Sequence, residues 1–241
     1  MQSDTSGPRS RRERPAKPAL SREAIVHAAL GIVRSDGVEA LSMRRLAQEL
    51  DTGPASLYVY VANRRELQEL VFDAATATLE IEPLDPSRWR EQVKAYAHQM
   101  VHLMAVEFPG LAELAMAHIP TGDNVLRAMD ALLGMLRAGG MPDQAAAYAG
   151  DLLSMYVTAI AYEQTLYAAM EDSPDAEEYL AGIAARFQSV SPERFPNIVA
   201  VAPLMTRGDA AERFELGLDV IINGLLATPT EGRLSEPSWG R

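Results

Sequence analysis

The 241-residue chain contains no cysteine, which excludes a disulfide framework, a thiolate zinc site and a cysteine nucleophile. It has no run of about eighteen or more apolar residues, and its N-terminus is polar and Arg-rich with no apolar segment behind it, so neither a membrane span nor a signal peptide is expected. Both absences fit a cytoplasmic protein. No P-loop, GxGxxG, HExxH or GxSxG occurs anywhere, and nothing points to an enzyme or a cofactor. Convincing period-two alternation is also missing, which leaves an all-α fold. Positive charge is scarce, with a formal net charge of −11.

An acidic balance spread evenly would argue against a polyanionic partner. Here it is uneven. Residues 1–72 carry eleven Lys and Arg against nine Asp and Glu, whereas the remaining 169 residues carry eleven against twenty-four. A polyanion is therefore repelled by the bulk of the chain and attracted to its beginning, which orients an encounter and makes affinity fall as salt rises.

The densest signal lies in residues 41–65, LSMRRLAQELDTGPASLYVYVANRR. Ser42 is a good N-cap, and Leu46, Ala47 and Leu50 follow on one helix face. Asp51, Thr52 and Gly53 stop that helix, Gly53 being suited to the positive φ of a sharp reversal. Pro54 restarts the chain where a missing N–H costs little. A second helix over residues 55–60 is too short to stand alone. Asn63 and Glu66 form a capping box for a third helix carrying Leu67, Leu70, Val71 and Ala74. Upstream, Ser21 caps a helix with an apolar stripe of Ile25, Ala28, Ala29, Ile32 and Val33, ended at Asp36-Gly37. Four helices within residues 20–75 give a helix-turn-helix, whose second helix enters the major groove.

Beyond the spacing, the segment LSMRRLAQELDTGPASLYVYVANRREL closely resembles the DNA-binding domain of the tetracycline-repressor family of bacterial regulators, most specifically at Leu57-Tyr58 and at Val61-x-Asn63-Arg64-x-x-Leu67. The resemblance continues more faintly to about residue 227, in the run from Leu132 through Ala138-Gly139-Gly140-Met141 to Ala145, in Tyr162-Glu163-Gln164, and in Phe214-x-x-Gly217-Leu218-Asp219-x-Ile221-Ile222-x-Gly224-Leu225. It implies a helix-turn-helix domain followed by a larger helical ligand-binding and dimerisation domain. The expected organisation is a disordered basic arm over 1–19, the DNA-binding domain over 20–75, the helical domain over 76–228 and a flexible tail over 229–241. Arg9, Arg11, Arg12, Arg14 and Lys17 make the arm either a DNA contact or a solvated tail.

From residue 85 onward the pattern is helical. Trp89, Val93, Tyr96, Ala97, Met100, Val101 and Met104 mark a long helix that Phe108-Pro109 interrupts. A short helix over 111–117, a break at Ile119-Pro120 and a helix over 125–137 ending at Gly139-Gly140 follow. A long helix then runs from Pro142 to about residue 170. Residues 171–206, with Pro174, Pro192, Pro196 and Pro203, read as a loop holding one helix over 176–187. A last helix spans 210–226. The helices over 145–170 and 210–226 are apolar around too much of their circumference for a small domain alone, which calls for a partner surface. In the family these positions form a four-helix bundle between two subunits, so the resemblance implies a homodimer on a palindromic operator.

Motif matching gives Ser42, Met43, Arg44, Pro54, Ala55, Ser56, Tyr58, Val59, Tyr60 and Arg64 as DNA-facing candidates. Arg44 has the planar fork that suits guanine O6 and N7, while Tyr58 and Arg64 suit phosphates. Pro54-Ala55 and Val59-Tyr60 depart from the Gln-Pro and Trp-His pairs of the family's founder, so its operator does not carry over. Leu57 is expected in the core.

In the helical domain the resemblance places Tyr96, Met100, Met104, His118, Leu132, Tyr156 and Glu163 around a small-molecule pocket for an apolar or aromatic effector. The same methionines also fit an ordinary core. His118 falls near a family histidine that binds drug-chelated magnesium, but a histidine satisfied at a helix end is preferred, and tetracycline itself is not the expected effector. His98 and His102 have the spacing of a metal pair without a third ligand, so no metal is assigned. The expected function is a ligand-responsive, sequence-specific DNA-binding regulator, a repressor that a small molecule releases. Control by a protein partner, or a ligand that tightens DNA binding, is the alternative.

Overall fold

The computed structural model describes residues 20–117, 121–171, 176–205 and 209–229. Among them are eleven α-helices and no strand. The first four are α1 (Arg22–Asp36), α2 (Met43–Glu49), α3 (Pro54–Leu57) and α4 (Arg64–Thr76). Each start follows from its cap. Ser21 accepts the Ala24 amide, Ser42 that of Arg45 at 3.1 Å, and Asn63 that of Glu66 at 2.9 Å. The capping box reaches one residue further back than expected: the Glu66 carboxylate accepts the Ala62 amide. Gly37, at φ 79°, ends α1. The turn between α2 and α3 differs from expectation, because Asp51 takes the left-handed conformation at φ 47° and Gly53 is extended. An Asp tolerates that region, which frees Gly53 to serve as the N-cap residue of α3.

The body comprises α5 (Trp89–His102), α6 (Leu111–Ala117), α7 (Asp123–Ala138), α8 (Asp143–Glu171), α9 (Ala176–Gln188), α10 (Pro196–Met205) and α11 (Ala210–Ala227). Helix α5 runs into a π-helical turn over Leu103–Glu107 before Phe108 ends it. Helices α5, α7 and α8 pack on one another, α11 lies along α8, and α4 packs on α1, α6 and α7. Head and body share one cluster of buried side chains, from Ile25 and Leu46 through Val71 and Leu103 to Leu136, Leu153 and Leu218. The segment expected as a loop with a single helix holds two, since α10 contains both Pro196 and Pro203. Pro196 occupies the first helical position, where its missing N–H is no loss, and Pro203 lies two residues before the end. The arm over 1–19 and most of the tail lie outside the described residues.

Candidate DNA interface and effector region

Leu57 is the only buried side chain of α3, at 0% exposure. It anchors a helix of a single turn. The expected second helix over 55–60 is shorter: beyond Leu57 the chain continues as a tight turn, in which the Tyr60 and Val61 amides both donate to the Leu57 carbonyl at 3.0 Å. Val61, 1% exposed, closes the turn against the core. Pinned at Leu57 and Val61, the turn turns the other side chains outward. Pro54, Ala55, Ser56, Tyr58, Val59 and Tyr60 are all exposed, Val59 to 79%. Arg44 and Arg64 are exposed too, with no ion pair to either among the described residues. By contrast Arg45 bonds Asp36 and Arg65 bonds Glu69. Ser42 and Met43 are half-buried, Ser42 as the α2 cap and Met43 packed on the core.

The described effector candidates lie on α5, the π-helical turn after it, α7 and α8. Met104 and Leu132 are closed into the core, while Tyr96, Met100, Tyr156 and Glu163 are half-buried. Tyr156 stacks on Phe214, with ring centroids 5.6 Å apart, and its hydroxyl donates to the Arg213 and Phe214 carbonyls. Glu163 is paired with Arg213. His118 lies outside the described residues. Among the described residues the surface hollows include one of about 510 Å³ along α9 and one of about 300 Å³ between Thr78, His98, His102 and Glu107. None of the effector candidates lines either of them.

Sequence reasoning missed the polar ties that organise the body, because each links residues far apart in the chain. Lys94 bonds Glu215 and Asp219 of α11 at 2.8 Å each, and His98 bonds Glu215 at 2.5 Å while its ring meets Phe214 edge-on. His98 and Lys94 hold the Glu215 carboxyl below its usual range, and Asp219 and Glu215 raise Lys94. His98 is thus a hydrogen-bond partner of Glu215, and no group of three metal-ligating side chains occurs among the described residues. Arg34 bonds Glu107 and lies 4.7 Å over the Phe108 ring, tying α1 to the π-helical turn. On α4, Asp73 bonds the first turn of α7.

Burial pushes the Tyr96 hydroxyl up to about 12, against about 10 in an unfolded chain. The native state therefore keeps a proton that the unfolded state loses, and stability is intact below pH 10 and falls as pH climbs toward 12. Between about pH 9 and pH 11 this one group costs about 1 kcal/mol. Urea titrations of wild type and Tyr96→Phe should diverge by that amount, and parallel pH curves would remove Tyr96 as the cause.

An outward-facing turn on a buried leucine, carried by a basic-leaning head on an acidic helical body, defines a helix-turn-helix DNA-binding protein. The family model described as the tetracyclin repressor-like C-terminal domain matches residues 82–228. Over 220 residues the chain is 30% identical to the HTH-type transcriptional repressor DrrR1 of Streptomyces coeruleorubidus, covering 89% of this chain and 80% of that protein. It is 28% identical over 208 residues to the class C tetracycline repressor protein of Escherichia coli, covering 86% and 90%. ActR of Streptomyces coelicolor, solved in complex with actinorhodin, is 42% identical with a TM-score of 0.79 over 89% of this chain and 99% of that one. Apo ActR gives a TM-score of 0.77 at the same identity, over 87% and 98%. The chain belongs to the tetracycline-repressor (TetR) family. It is a DNA-binding transcriptional regulator.

Proposed function

We propose that the protein is a homodimeric repressor that occupies a palindromic operator and leaves it when a small molecule enters the helical body. The observation that carries this reading is the presence, on one chain, of an exposed recognition turn and an uncovered apolar stripe. Tyr148, Leu152, Met155 and Leu166 on α8, and Leu216 and Val220 on α11, are each at least 40% exposed. On α8 the first three are four and three residues apart and Leu166 lies eleven further on, all on one helix face, and Leu216 and Val220 are four apart on α11. Large apolar side chains so arranged are the surface that a second copy covers. Two copies then present two recognition turns, to half-sites about 34–36 Å apart or a multiple of that.

Ser42, Met43, Arg44, Pro54, Ala55, Ser56, Tyr58, Val59, Tyr60 and Arg64 form the DNA face, with Arg44 reading a guanine and Tyr58 and Arg64 holding phosphates. The effector sits among Tyr96, Met100, Met104, Leu132, Tyr156 and Glu163, and is a small molecule of the kind ActR is solved with, actinorhodin or (S)-DNPA. A ligand that binds only where α5, α7 and α8 have parted shifts the population toward that state, and α4 carries the change to the head. The protein has no catalytic role in this reading and works in the cytoplasm; among the described residues no single helix is long and apolar enough to cross a membrane.

Selection from a random DNA pool, followed by titration of the winning duplex with actinorhodin, tests the reading. A palindromic consensus that actinorhodin releases supports it. Tightening by actinorhodin would make the protein a corepressor-type regulator, and no enrichment would contradict the operator. On the selected duplex, Arg44→Ala should cost about 1–3 kcal/mol, roughly 5- to 150-fold in affinity, and relax the preference at one base pair with the melting temperature unchanged. A uniform loss across all sequences would make Arg44 a phosphate contact.

A further inference from the structure

Helix α7 begins without a cap of its own. Its N-cap residue is Gly122, extended at φ −67° and ψ 157°, with no side chain to accept the free amides of the first turn. That work is done from another helix. Asp73, on the last turn of α4, accepts the Asn124 amide at 2.9 Å and the Val125 amide at 3.1 Å through Oδ1, and the Asn124 side-chain amide at 2.9 Å through Oδ2. These two backbone amides are the ones an N-cap side chain ordinarily takes, and a carboxylate is favoured there by the helix dipole. Glycine at 122 is what admits it: a Cβ there would lie 2.1 Å from Asp73 Oδ1. A cap supplied across 51 residues of chain joins two helices that sequence proximity does not.

The helix that supplies it is the one that carries the DNA-binding turn. Asn63, ten residues before Asp73, caps α4 directly after the recognition turn, and Leu67, Val71 and Phe72 seat α4 in the core. Another tie of the head lies on α1 and the turn after it, where Arg34 bonds Glu107 and the Val38 amide donates to the Pro109 carbonyl at 3.0 Å. Apolar packing between α4 and its neighbours lets helices slide, whereas three directional bonds to one carboxylate fix both angle and register. We propose that Asp73 is a positioning residue for DNA recognition, the fastening that sets the recognition turn at a fixed angle to the body by capping α7. The claim rests on the DNA-binding role alone, and needs neither a particular effector nor a particular sign of response.

The test uses the full chain, with hydrogen exchange by mass spectrometry and affinity for the selected duplex as readouts. Three variants are compared with wild type. Asp73→Ala removes the cap. Asn124→Asp sets two carboxylates against each other. The double variant D73N/N124D restores the pair in reverse, with the residue-73 amide donating to the residue-124 carboxylate and its oxygen accepting the two backbone amides. Expected for both single variants is about tenfold faster exchange over residues 43–60, with less than about twofold change in α8. Specific affinity should fall about tenfold while affinity for random-sequence DNA holds within about twofold, because phosphate contacts do not need a fixed head angle. The double variant should return both readouts to wild type. Faster exchange confined to residues 122–127, an equal acceleration in α8, or a double variant as loose as Asp73→Ala would each overturn the proposal.

Discussion

A chain carrying Met155→Asp and Val220→Asp should sediment as a folded monomer and bind the selected operator at least about 100-fold more weakly than wild type. Both side chains stand in water in the single chain, Met155 at 55% and Val220 at 62% exposure. Charging them therefore costs the fold little, and the melting temperature at low concentration should barely move. In a two-fold dimer the same positions occur twice, which would bury four carboxylates with no cation opposite. Each unpaired buried charge costs several kcal/mol, enough together to abolish association. Loss of the dimer removes the second half-site's contribution, which a tethered second head supplies at an effective concentration in the millimolar range. Sedimentation velocity and fluorescence anisotropy on one preparation measure both consequences. A variant that still dimerises would show that α8 and α11 are not the interface, and a monomer with undiminished affinity would show that one head suffices.

What could be read from the chain, and what could not, divides along range. The starts of α1, α2 and α4 were legible because Ser21, Ser42 and Asn63 act on amides three residues away. Leu57 was legible as core because the turn leaves it one place to go. The end of α3 was not: four helical residues have no stability of their own, and whether residues 58–60 continue as helix is decided by where Val61 packs. Helix α10 was hidden by its two prolines, which mark a loop unless one sits in the first turn and the other close to the end. The exposed candidates for DNA were thus found from local pattern, and the partners that hold them in place were not. Asp73 shows why. On the sequence it is one acidic residue on an amphipathic helix, and its role depends on a glycine 49 positions later.

Leu57→Ala and Val59→Ala, two residues apart, should have opposite signatures. Leu57 is 0% exposed and is the one buried side chain of α3, which packs on α2. Truncation removes its transfer energy and leaves a void that a one-turn helix cannot fill by shifting, so a loss of about 2–5 kcal/mol is expected. Head and body share a core, yet the loss should concentrate in the head, where the void lies. Urea unfolding should then show an early transition, and operator binding should fail at 37 °C while recovering in part on cooling. Val59 is 79% exposed and touches no core. Its truncation should leave the unfolding curve within about 0.5 kcal/mol of wild type, and change affinity only for duplexes with a thymine methyl beneath it. Circular dichroism in urea and anisotropy on a panel of operator variants separate the two effects. If Val59→Ala destabilised the fold as much as Leu57→Ala, the turn would be packed the other way round, and the recognition surface would have to be sought on its opposite face.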